Sequence, residues 1–202
     1  MNEANTAKER LAFDDLLMFQ LKALLERRKM NQLKSVSVRF DRELIQNFVA
    51  KLPFELTKDQ KIAAWEILKD LQKKYPMNRL LEGDVGSGKT VVALTGAIQV
   101  AKAGYQSVFM APTEVLAQQH FKTITSLVGD MARVALLTSS TEEKAKVKKA
   151  IAEGEADIII GTHAVIQKDV RFKNLAFVII DEQHRFGVSQ RAALAKNSGS
   201  DL

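Results

Sequence analysis

The stretch that most narrows what this chain can become is Gly83-Asp84-Val85-Gly86-Ser87-Gly88-Lys89-Thr90. Its glycines at 83, 86 and 88, followed by Lys-Thr and an apolar helical run over 89–103, ask for a strand that ends in a tight loop and turns into a helix. In such a loop the main-chain N–H groups point inward, and the helix adds the positive end of its dipole. The turn is built to hold phosphate. Lys89 is placed to reach the β- and γ-phosphates, and the Thr90 hydroxyl to stand on Mg2+. A glycine-rich turn with a chance lysine is the plain alternative, and it leaves the register of strand, glycines and Lys-Thr unexplained.

The rest of the chain supplies the setting such a loop needs. Short, nearly uniformly apolar runs at 79–81, 107–111, 133–137, 157–160 and 176–180 alternate with helical stretches at 89–103, Glu114–Val128 and 142–153. Strands apolar on both faces, alternating with helices, predict an α/β fold whose parallel sheet carries helices on both faces. Thr57 and Gln60 open a further helix carrying Ile62, Trp65, Ile67, Leu68 and Leu71. Before Pro53 the pattern is helical only. Leu11, Leu17, Leu21, Leu24 and Leu25 predict one long helix over 7–32, and Asp41 reads as the N-cap of a short helix with Leu44, Ile45, Phe48 and Val49. The division this predicts is a helical segment over 1–52 and the α/β domain over 53–202. Residues 196–202, polar and rich in Ser and Gly, read as loop.

Composition closes off several chemistries. With no cysteine among 202 residues, disulfides, thiolate zinc sites, iron–sulfur clusters and cysteine nucleophiles are all excluded. The three histidines form no i,i+4 pair, which argues against zinc. No apolar run approaches the ~18 residues of a membrane span, and the first residues lack a secretory pattern. A net charge of +6 points only weakly to a polyanionic partner. The run Lys144, Lys146, Lys148 and Lys149 reads as a solvated helix face before it reads as a DNA contact. His120, inside an amphipathic helix, reads as a surface or packing residue.

A second signal is Phe177-Val178-Ile179-Ile180-Asp181-Glu182-Gln183-His184. Four apolar residues predict a buried strand with two carboxylates at its C-terminal end, where open parallel sheets bind ligands. Asp181 is placed to hold Mg2+ through water, and Glu182 to orient and deprotonate an attacking water. Alone, two acids there could equally cap the next helix. Beside the loop of 83–90 they supply the second metal anchor that phosphoryl transfer requires.

The two motifs together resemble the ATPase motor of superfamily 2 helicases and translocases. Within it, Gly-Asp-Val-Gly-Ser-Gly-Lys-Thr with Asp-Glu-Gln-His-Arg-Phe-Gly is similar to the RecG family of bacterial ATP-dependent DNA helicases. Arg10-Leu11-Ala12-Phe13-Asp14-Asp15-Leu16-Leu17, Met110-Ala111-Pro112-Thr113-Glu114-Val115-Leu116-Ala117 and Gly161-Thr162-His163-Ala164-Val165-Ile166-Gln167 strengthen that likeness, which runs from Lys8 to Arg191. Transcription-repair coupling factors share much of both motifs and stand as the alternative, with a catalytically idle nucleotide-binding module as a further one.

The resemblance implies a RecA-like P-loop domain using ATP and Mg2+. Its phosphate site is Gly83, Gly86, Ser87, Gly88, Lys89 and Thr90, with Lys89, Asp181 and Glu182 catalytic and Thr90 and Asp181 at the metal. Phe54 and Gln60 are the implied adenine contacts, although Thr57 and Gln60 also have the spacing of a capping box. Thr113, Thr162 and His163 are the implied DNA contacts, Thr113 doubling as a possible N-cap. Gln183, His184 and Arg185 would sense the γ-phosphate or couple the site to its neighbour domain. The implied partners are branched or forked DNA and a single-stranded DNA-binding protein, and the implied setting is a monomer at the bacterial nucleoid in the cytoplasm. The likeness also places a DNA-reading domain ahead of Lys8 and a second motor half after the stretch present here. The chain alone is therefore expected to bind nucleotide weakly, hydrolyse it negligibly and unwind nothing.

Overall fold

The computed structural model describes residues 2–30 and 32–182. Its centre is a sheet of four parallel strands, β1 (Gln106–Met110), β2 (Val134–Leu137), β3 (Ile158–Gly161) and β4 (Leu175–Ile180), in the order β2-β3-β1-β4. Alternation of side chains along each strand divides the core in two. Phe109, Ile158 and Ile160 join one buried cluster, while Val108, Met110 and Ile159 join the other. Both faces are therefore apolar, and both are covered.

The helices follow from that demand. On one face lie α3 (Lys58–Leu71), α4 (Lys89–Lys102) and α5 (Glu114–Val128), whose Ile67, Ile98 and Ile124 enter the first cluster. On the other, α6 (Lys144–Glu153) contributes Ile151 to the second. Every residue of α4 from Val91 to Val100 is buried. A helix apolar all round is a central one, packed on several sides.

The segment ahead of Pro53 is held in two different ways. In α2 (Arg42–Ala50), capped by Asp41, Phe48 is fully buried in the same core cluster as Val38. Gln99 of α4 fixes this segment from below: its Nε2 donates to the Arg39 carbonyl at 2.8 Å and its Oε1 accepts from the Asp41 N–H at 3.0 Å. By contrast α1 (Asn2–Met30) leaves Leu11, Phe13, Leu16, Phe19, Leu24 and Leu25 exposed.

One expected strand is missing. Residues 79–81 are irregular and outside the sheet. The reason lies in Arg79, whose guanidinium bonds Asp70 and Glu66 of α3 and ties the segment to that helix, while Leu80 is left exposed. The face of α3 also differs from expectation: Ile62 and Trp65 are about half exposed, Trp65 meeting Phe40 edge-on at 5.1 Å.

Candidate nucleotide-binding site

The strand register collects the candidate residues at one edge. Met110 aligns with both Gly161 and Ile180, and Leu137 with Gly161, so the four C-terminal strand ends lie side by side. The residues that follow them are Thr113 after β1, Thr138 after β2, Thr162 after β3 and Asp181 after β4. Gly161 is needed there because a Cβ would collide with the Leu137 carbonyl oxygen.

The glycine loop brings the N-terminus of α4 to this edge. Gly88, the N-cap of α4, sits at φ 80, a left-handed conformation that favours glycine, and a Cβ on it would stand 2.5 Å from Gln60 Nε2. Gly86 lies in the exposed turn, and the Ser87 N–H closes the loop onto the Asp84 carbonyl at 3.1 Å. Lys89 folds back over it, its Nζ donating to the Gly83 carbonyl at 2.6 Å and the Asp84 carbonyl at 2.8 Å. The ammonium thus lies over the loop that a phosphate would enter, held by neutral acceptors that an anion would outbid. Thr90 is half-buried in the first turn of α4.

Gln60 serves the loop and its own helix together. Its Oε1 accepts from the Thr57 N–H at 2.8 Å and its backbone N–H donates to Thr57 Oγ1 at 3.2 Å, which completes the capping box. Its Nε2 then donates to the Ser87 carbonyl at 2.8 Å. Both ends of the amide are engaged inside the chain, so pairing with an adenine edge requires it to exchange these bonds. Phe54 is half exposed and lines a hollow of about 420 Å³ with Leu52, Pro53, Leu56 and Lys61.

At the end of β4, Asp181 is held from three sides. Its N–H donates to the Met110 carbonyl at 2.9 Å, its Oδ1 accepts from the Glu182 N–H at 3.1 Å, and its Oδ2 lies 2.9 Å from His120 Nε2. An ionised carboxylate only accepts, so that histidine nitrogen carries the proton. The His120 hydrogen bond is the main cause holding the Asp181 carboxyl below the usual carboxylate range. Burial works against it, and the Lys89 charge is among the lesser contributions in its favour. Glu182 is exposed, at φ 52, a left-handed backbone that costs a non-glycine residue ~1–2 kcal/mol.

His120 is the packing residue that the sequence suggests, its ring on Phe109 with centroids 4.7 Å apart, but it also reaches the Asp181 carboxylate, a contact the sequence reading did not include. The signal that would have revealed it, the approach of α5 to the end of β4, is tertiary. Among the expected DNA contacts, Thr113 caps α5, accepting from the Leu116 N–H at 3.3 Å, and remains exposed. Thr162 is buried at 6% exposure, whereas His163 beside it is exposed. Ser139 and Ser140, beyond β2, hydrogen-bond Glu114 and hold its carboxyl below the usual range, which joins that loop to the start of α5. Gln183, His184 and Arg185 lie outside the described residues.

With the geometry in hand, comparison with known proteins decides the family. The DEAD/DEAH box helicase model matches residues 57–202. The chain belongs to that family. It is 48% identical over 189 residues to the ATP-dependent DNA helicase RecG of Aquifex aeolicus, an alignment covering 92% of this chain and 24% of that protein. It is 48% identical over 191 residues to RecG of Thermotoga maritima, covering 93% and 24% respectively. The chain therefore spans about a quarter of the length of these relatives. A solved structure of RecG bound to a three-way DNA junction superposes with a TM-score of 0.82 at 44% identity, covering 89% of this chain and 25% of that one. The α/β fold with helices on both faces of a parallel sheet, expected from the alternation of runs, is the fold of this helicase domain.

Proposed function

We propose that this chain is the first motor segment of a RecG-type helicase, which couples ATP hydrolysis to remodelling of forked and junction DNA. The observation that carries the reading is the glycine loop at the start of α4, over which Lys89 Nζ folds onto the Gly83 and Asp84 carbonyls. Support for the DNA substrate comes from the likeness to RecG on a three-way junction.

Each residue has a task in that reaction. The loop amides and the start of α4 bind the phosphate chain, and Lys89 leaves the Gly83 and Asp84 carbonyls for the β/γ-phosphates. Glu182 orients water and accepts its proton. The donor set fits Mg2+, a hard ion that takes one or two carboxylates and completes its shell with substrate phosphates and water. Asp181 supplies a fixed carboxylate and Thr90 a hydroxyl, and no cluster of three or more ligating side chains occurs among the described residues. When bound, the metal neutralises charge building on the phosphates.

For the outer contacts, the exposed Thr113 and His163 stand on the edge suited to a phosphodiester backbone, which needs hydroxyls and N–H groups rather than base-reading side chains. The same reading keeps branched DNA and a single-stranded DNA-binding protein as partners, a monomeric state, and the bacterial nucleoid as the place of action. No helix among the described residues is long and apolar enough to cross a membrane.

The test is ATP hydrolysis by the RecG-type protein containing this chain, with and without a three-way junction. Junction DNA should raise the rate, and Glu182→Gln should lower kcat at least ~100-fold while leaving nucleotide binding intact. Hydrolysis by Glu182→Gln at the normal rate contradicts the assignment.

A further inference from the structure

We infer that His120 is the positioning residue for Asp181, fixing through its Nε2–H the carboxylate orientation that the metal site uses. The inference rests on the reading of Asp181 as the magnesium ligand. Three observations carry it. Nε2 lies 2.9 Å from Oδ2, and the remaining oxygen is engaged by the Glu182 N–H at 3.1 Å, so the carboxylate is pinned at both ends. The ring is itself held, packed against Phe109 of β1, the strand whose Met110 carbonyl accepts from the Asp181 N–H. Both side chains are partly shielded, at 16% and 26% exposure, which strengthens a charge-assisted bond and keeps the pair from exchanging freely with water.

A carboxylate that turns freely spends part of its time aimed away from the ion. A donor on one of its oxygens removes that freedom and leaves the other lone pairs presented. Outer-shell donors of this kind typically change metal affinity or activity ~10–100-fold when lost. The donor here comes from α5, sixty-one residues from its acceptor, with no local sequence pattern to announce it.

Two substitutions separate the hydrogen bond from the packing. His120→Phe keeps a ring against Phe109 and loses the donor, whereas His120→Gln keeps a side-chain N–H at similar reach and loses the ring. The readout is the Mg2+ concentration that gives half of the magnesium-dependent gain in ADP binding, followed by calorimetry on folded protein, with metal-free ADP affinity as the control. His120→Phe should raise that concentration at least ~10-fold with metal-free affinity unchanged, and His120→Gln should return it to near the normal value. A normal midpoint in His120→Phe overturns the inference, since the donor is then dispensable; a defect in His120→Gln alongside it would assign the role to the ring. Asp181→Asn and Lys89→Ala run alongside. A normal Mg2+ midpoint in Asp181→Asn overturns the inference at its foundation, by removing Asp181 from the metal site. Metal-free binding that survives Lys89→Ala undiminished locates the failure instead in the proposed phosphate site.

Discussion

Gln106 does more for the fold than its place in a buried strand suggests. Its Nε2 donates to the carbonyls of Ile151 and Ala156, each at 2.9 Å, and its Oε1 accepts from the N–H groups of Lys173 and Asn174 at 2.9 and 3.2 Å. One amide satisfies four main-chain groups where α6, the approach to β3 and the approach to β4 converge. Truncation strips buried peptide groups of their partner, each worth ~1–3 kcal/mol. Gln106→Ala should therefore destabilise the protein by about 3 kcal/mol in denaturant unfolding, with little change in the dependence on denaturant. A loss below about 1 kcal/mol would mean that these groups find other partners. Nothing in the sequence marks Gln106, because a polar residue opening an apolar run reads as the run's solvent end. The same blindness applied to His120, and for the same reason: the partners of both are distant in the chain.

Among the elements, those whose signal is local were legible. The capping box at Thr57 and Gln60, the Asp41 cap of α2 and the Thr113 cap of α5 all form, and α5 spans Glu114–Val128 as the pattern predicts. The four strands of the sheet fall within a residue of their apolar runs, since a strand buried on both faces has few alternatives. The stretch at 79–81 shows where such reasoning stops. An apolar run marks a strand only if a neighbour pairs with it, and here Arg79 is captured by α3. That capture also carries a pH signature. Burial alone pushes the Asp70 carboxyl up, but hydrogen bonds from Lys73 and Arg79 outweigh it and hold Asp70 below the ordinary value of 3.8. A carboxylate with a depressed folded value stabilises the fold at pH above its unfolded value and loses that contribution as pH falls through the folded one. Asp70→Asn should thus cost about 1 kcal/mol at pH 7, with the gap from the unmodified protein closing as pH drops below 3.8. A gap that persists undiminished at pH 2 would assign the cost to packing.

Across the whole molecule, the two parts ahead of Pro53 behave differently. Residues 38–50 are built into the core through Val38, Phe48 and the Gln99 clamp, whereas the large apolar side chains of α1 from Leu11 to Leu25 remain exposed. Helical periodicity reveals a helix but not its contacts, so this difference was hidden in the sequence. Removing residues 1–31 should shift the melting temperature of the remainder by no more than about 2 °C, because no described residue of that segment enters either core cluster. A fall of 10 °C in a melting curve would show that α1 supports the α/β unit. The candidate site, in contrast, is marked in the sequence as a pair of motifs, because phosphate chemistry asks for both residue type and spacing, although the strand expected ahead of its loop does not form. Its inner bonding is not so marked. Lys89 rests on the Gly83 and Asp84 carbonyls, and Gln60 reaches the Ser87 carbonyl, contacts that only the folded loop creates. Whether this loop grips nucleotide is the point on which the account turns, and calorimetric titration with ATP and Mg2+ measures it. Binding should be saturable and should weaken at least ~10-fold in Lys89→Ala, the loss of one charge-assisted contact to phosphate. Equal affinities for the two proteins would leave the loop without a phosphate to grip.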